Sequence, residues 1–114
     1  MSSRRPPERD VARIRQIASE RAAAGVPNEA RLDVDVDGAN VTIVERRPPR
    51  TREVEPDWSR EPLAQFRYDA AASTWALYWA RANGRWQRYD IEPARAIDAL
   101  IEELQADPDG VFWG

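Results

Sequence analysis

Asp33, Asp35 and Asp37 alternate along the chain and are followed by Gly38, a spacing that could do chemistry. Acids at positions one, three and five with glycine at six open a calcium loop. Here the closing acid belongs at Val44, Glu45 arrives one residue late, and the flanks alternate as strands do. A hairpin with a wet aspartate face is therefore expected. Glu45, Asp69 and Asp90 each close an expected strand and could converge at one edge as acid–base carboxylates. Acids also commonly end strands for the sake of the turns that follow. "EPD" at 55–57 lacks the lysine partner of a metal nuclease. Arg67, Tyr78, Arg85 and Tyr89 form a different set, of arginines interleaved with aromatic rings. That mixture can stack and neutralise a single-stranded nucleic acid. Arg46, Arg47, Arg50 and Arg52 form another cluster, able to hold an anion or to present an extended arginine–proline ligand. Glu53, Glu55 and Asp57 largely offset its charge.

Composition removes most other chemistry. The 114 residues include seventeen basic side chains, all arginine, with no histidine and no cysteine. An imidazole base, a Schiff-base lysine, a phosphate-loop lysine and a thiol nucleophile are all excluded. An enzyme built from this chain would have to work with carboxylates. No disulfide framework or thiolate metal site is possible. No metal or other cofactor is expected. No apolar run reaches the ~18 residues of a membrane span, so a cytoplasmic protein with no membrane partner is expected. The net charge of −3 argues against a general nucleic-acid coat, yet its distribution is uneven. Residues 1–31 carry seven arginines against four acids, and residues 91–114 one arginine against six acids. A basic patch and an acidic face can coexist on one small body.

These side chains need a frame. Length predicts one domain over 8–114 behind a flexible start at 1–7. Val11, Ile14, Ile17 and Ala18 recur at helical spacing, Pro7 suits a first turn, and Gly25 closes a helix over 8–24. "RLDVDVDGANVTIVERR" reads as a β-hairpin turning at Asp-Gly. Residues 46–62 hold four prolines and five arginines and read as a long extended loop. "LAQFRYD", "STWALYWAR" and "RWQRYD" follow as three strands, the last two joined at Asn83-Gly84. A second helix is expected from about Pro93, with Ile97, Leu100, Ile101 and Leu104 on one face and a stop at Pro108–Gly110. The expected fold class is α+β: a five-stranded antiparallel meander with an N-terminal and a C-terminal helix on one face.

Alternation then sorts the aromatic residues, five of which crowd "WALYWARANGRWQRYD" at 75–90. Trp75, Leu77, Trp79 and Arg81 point one way, and Ala76, Tyr78 and Ala80 the other. A two-residue Asn83-Gly84 turn would set Tyr78 opposite Tyr89 and Trp79 opposite Arg88. Burying a tryptophan removes ~200 Å² from water, worth roughly 5 kcal/mol. Trp75, Trp79, Trp86, Phe66, Tyr68 and Leu77 are therefore expected in the core. Arg81 and Arg88 are expected at its margin, stacked on indoles. Arg67, Tyr78, Arg85, Gln87 and Tyr89 are expected outward, on the same face as Asp33, Asp35 and Thr42 of the first hairpin, where the charges could simply pair. Val111-Phe112-Trp113 is expected to dock beside the tryptophans, or else to reach a second subunit.

"ERRPPR", "QFRYD", "WALYW", "RWQRYD" and the terminal "DPDGVFWG", in that order, resemble the family known as domain of unknown function 3024. The resemblance runs from the first helix to the last residue. It implies a small bacterial stand-alone domain whose C-terminus is natural, and it carries over no catalytic residue. The leading expectation is a non-catalytic interaction module, binding another protein or itself through the exposed sheet face or the 46–62 loop. The alternative is single-stranded nucleic-acid binding through Tyr78, Tyr89, Arg67 and Arg85; a carboxylate enzyme comes third.

Overall fold

The computed structural model describes residues 5–25, 30–49 and 58–113. Helix α1 spans Glu8–Ala23, and the strands β1 to β5 span Arg31–Asp37, Asn40–Arg46, Glu61–Asp69, Thr74–Ala80 and Trp86–Arg88. Helix α2 spans Ile97–Ala106. The strands form one antiparallel sheet in chain order, so the α+β meander is as expected.

The core lies between the sheet and the two helices. Val41, Ile43, Phe66, Trp75 and Leu77 project from the sheet onto Ile14 and Ile17 of α1 and Leu100, Ile101 and Leu104 of α2. Polar contacts tie the helices to this apolar layer and to each other. The Trp75 indole N–H donates to Asp10 Oδ2 at 2.9 Å, and Arg13 Nε donates to Asp98 Oδ1 across the helix pair at 3.1 Å. Acids in the first turn of each helix also suit the positive end of its dipole.

The structure corrects several expectations. Asp37 pairs with Asn40, which leaves Gly38-Ala39 as the hairpin loop. Gly38 sits at φ +59°, in the first central position, where a type II′ loop needs glycine. Arg46 closes β2 and Glu61 opens β3, so the strands bound the expected 46–62 loop, of which residues 50–57 lie outside the described residues. Helix α2 begins at Ile97, later than Pro93 suggested, because Ala94 exchanges two backbone hydrogen bonds with Trp75. A tertiary bridge there outcompetes local helix geometry.

The largest change lies between β4 and β5. The register is Tyr78↔Arg88, Trp79↔Gln87 and Ala80↔Trp86, with Arg81 N–H bonded to Arg85 O. The connection is thus a three-residue loop, 82–84, with Gly84 at φ +83°. A left-handed third loop residue is the usual companion of that length. One extra residue in the loop reverses the face of every side chain on β5. Tyr89, expected outward, is 7% exposed and in the core. Trp86, expected in the core, is half-exposed and faces outward beside Ala80.

Candidate functional site

Two surfaces bring chemically capable residues together. The first is the outward face of the sheet. Its central row crosses all five strands through Asp35, Thr42, Gln65, Tyr78 and Arg88. On the β1–β2 side the arginines are already paired. Arg46 Nε donates to Asp33 Oδ2 at 2.8 Å, and Arg60 donates through Nε and Nη2 to Asp35 Oδ2 at 3.1 and 3.0 Å. Asp33 and Asp35, the first two acids of the calcium-like pattern, are thus held by guanidinium groups. Arg31 lies over the Trp58 ring, 4.5 Å from its centroid.

On the β3–β5 side the arrangement differs. The Arg67 guanidinium lies 3.8 Å from the Tyr78 ring centroid. Its Nε donates to Gln65 Oε1 at 2.6 Å, and Gln65, itself buried, donates to Thr42 Oγ1 at 3.0 Å. Arg67 and Tyr78 are therefore brought together as the sequence suggested. Tyr89 and Arg85 do not join them. Arg85 follows the other face, with Arg81 and Gln87, because of the three-residue loop. Among the described residues, Arg81 and Arg88 do not stack on indoles; the stacked cations there are Arg21 on Trp113, Arg31 on Trp58 and Arg67 on Tyr78. Arg50 and Arg52 lie outside the described residues.

The second surface was not anticipated. Pairing of β3 with β4 begins only at Ala64↔Trp79, although β3 starts at Glu61. Ahead of that point Glu61 and Pro62 stay with β2, while Ala80 stays with β5, so the sheet forks. Pro62 accounts for much of this. It has no N–H to give a ladder, and the β2–β3 register shifts between Ile43 and Val44, opposite it. Over the fork lies an open groove of about 1190 Å³. Arg47, Pro48 and Pro49 form one wall, Phe112 and Trp113 another, and Arg81 stands at the β4–β5 turn. The "ERRPP" and "GVFW" stretches thus meet in space. Periodicity carries no signal for such a meeting, since it depends on where the tail docks.

The tail is locked by Asp107. This residue closes α2 in the left-handed region at φ 41°, and its carboxylate accepts three backbone N–H bonds, from Val111, Phe112 and Trp113, at 2.9, 3.2 and 2.9 Å. Phe112 is buried against Tyr89, with ring centroids 5.1 Å apart, and the Trp113 indole donates to Leu104 O at 2.9 Å. The tail therefore docks on its own domain.

The convergence of strand-end carboxylates is not seen. Asp69 Oδ1 accepts the Ala71 and Ala72 amides in the β3–β4 turn, whereas Glu45 sits at the opposite end of the sheet, bonded to Arg47 Nε at 2.8 Å. Elsewhere two acids meet one phenol. Tyr89 O–H donates to Glu103 Oε1 at 3.0 Å, with Asp109 Oδ2 also near at 3.4 Å. Burial first, then the Glu103 bond and charge, then Asp109, push the Tyr89 phenol well above the ordinary tyrosine range. An acid neutral when protonated and raised on folding stabilises the fold below its unfolded pKa, and loses that contribution as pH rises past it. Stability is therefore expected to fall above about pH 10. Tyr89→Phe should flatten this limb in urea melts taken across that range; an unchanged slope would mean that Tyr89 is not its source.

No helix among the described residues is long and apolar enough to cross a membrane. No curated protein and no solved structure matches the chain. From residue 3 to residue 114, a span that includes both the forked groove and the arginine–tyrosine face, the chain matches the family described as Domain of unknown function (DUF3024), and it belongs to that family.

Proposed function

We propose that this domain is a non-catalytic protein-interaction module whose forked groove takes an extended segment of a partner protein. The observation that carries the reading is the fork itself. Strands β3 and β4, which part ahead of Ala64, leave a strand-lined cleft, and extended peptides are commonly recognised along strand edges with side-chain pockets beside them. Proline and tryptophan walls suit such a segment, because they offer rigid apolar surface at little cost in conformational entropy. Catalysis finds less support there. Glu45, the more enclosed groove acid, is tied to Arg47.

Selection from a displayed library of random peptides, followed by calorimetry on the winners, tests this reading. Micromolar binders with a shared extended motif are expected. Arg81 and Glu61 line the groove at positions exposed to solvent, so charge reversal there should alter the motif without unfolding the domain. Arg81→Glu is expected to weaken binders carrying an acid by about two- to tenfold. If no peptide is selected, or if bound peptides shift resonances away from the groove, the reading fails.

A further inference from the structure

The outward side of β3–β5 carries an inference that goes beyond the peptide groove, on four side chains that do not line it. Four side chains share this patch: Arg67 and Tyr78 near the middle of the sheet, Arg88 directly across from Tyr78, and Trp86 one outward position along β5. Among the described residues, Arg67 and Arg88 have no acidic partner within ion-pair distance. Arg46 and Arg60, on the same face, are taken up by Asp33 and Asp35. The nearest carboxylate on β3, Asp69, is occupied by turn amides.

Arg67 is also held in place. Its Nε is bonded to Gln65 and its plane rests on Tyr78, so Nη1 and Nη2 remain as the donors it can offer a ligand. A guanidinium immobilised before binding loses little rotamer entropy when it meets an anion. Arg88 stands on the other side of the same tyrosine. Beside them the half-buried Trp86 ring has the small methyl group of Ala80 directly across the strand pair, which leaves part of the ring accessible to a planar group. Two cations and a partly exposed indole on one short strip match a phosphate and an adjacent unstacked base. A peptide acid would satisfy the arginines but would leave the indole without a partner, and a duplex keeps its bases stacked inside.

We propose that Arg67, Arg88 and Trp86, supported by Tyr78, form a binding site for single-stranded nucleic acid, with the arginines on phosphate and Trp86 on a base. Two phosphate contacts on a single strand give a salt slope of about −1.4. Affinity for a fluorescein-labelled mixed-sequence RNA 12-mer is therefore expected to weaken about sevenfold when salt rises from 50 to 200 mM.

Fluorescence anisotropy on the full chain tests this, with the matching DNA single strand, a duplex and heparin as further probes. Trp86→Ala is expected to lose about tenfold or more, the scale of one stacked base. Arg88→Ser, a change at an exposed position, should weaken binding and lower the salt slope by about 0.7. Circular dichroism checks that both variants remain folded, and Arg88→Ser stands as the test if Trp86→Ala does not. Absence of binding at 50 mM salt overturns the proposal. So does binding that survives both substitutions, or equal affinity for duplex or heparin, which would show charge without stacking.

Discussion

Trp75→Ala is expected to cost ~3–5 kcal/mol of stability, a large share of what a domain of this size possesses. Trp75 is fully buried and sits where three parts of the chain meet. Its ring contacts Tyr68 at 5.0 Å and Phe66 edge-on at 6.4 Å. Its indole N–H reaches Asp10 on α1, and its backbone holds Ala94 just before α2. Alanine would leave a cavity under both helices and remove the donor to a mostly buried carboxylate. Trp75→Phe separates the two effects, since it keeps an aromatic ring but cannot donate. Its hydrogen-bond component should be about 1–3 kcal/mol. Urea denaturation should therefore rank Trp75→Ala well below Trp75→Phe, with Asp10→Ala nearer to the native protein. An unchanged midpoint for Trp75→Ala would refute the docking of both helices on this residue.

The C-terminal lock should show an effect of similar size. Phe112 is 3% exposed, so Phe112→Ala is expected to cost ~3–5 kcal/mol. Asp107 acts on the same tail by other means, and three substitutions distinguish them. Asp107→Ala loses every carboxylate bond and places a Cβ residue poorly suited to the left-handed region, a strain of about 1–2 kcal/mol. Asp107→Gly removes the strain but not the loss of bonds. Asp107→Asn tolerates the conformation and keeps one acceptor oxygen, so it should be the mildest. Thermal melts are expected to follow the order Asn, Gly, Ala from most to least stable. If deletion of residues 111–114 left the melting temperature unchanged, the tail would not be part of the core. A loosened tail should also impair peptide binding in the groove, because Trp113 forms part of its wall.

Much of the frame was legible in residue order. Val41 and Ile43, Phe66, Trp75 and Leu77 fall at strand spacing, with Val44 the exception in β2, and α1 and α2 repeat at helical spacing, so each apolar face announced its element. Both helices had to cover one side of the sheet, since the other side of the strands is largely polar. Arg67 over Tyr78 could also be anticipated, because both lie on the polar-facing positions of adjacent strands. Asn83-Gly84 was more ambiguous. Glycine in the left-handed region serves a two-residue loop and the third position of a three-residue loop alike, and alternation alone cannot count the residues between. Burial decided the count: Tyr89 fills space against Phe112 and finds acceptors in Glu103 and Asp109, which leaves Trp86 facing outward.

The chain by itself determined the α+β class, the apolar faces of its elements and the chemistry it lacks, because those follow from local spacing and side-chain type. Only the tertiary structure decided which aromatic ring faces solvent, that Arg46 and Arg60 are spent on Asp33 and Asp35 of β1, and that β3 with its proline and the chain's own tail enclose a groove. Those outcomes depend on register and docking, where a shift of one residue exchanges the two faces of a strand while its pattern of apolar and polar residues stays the same.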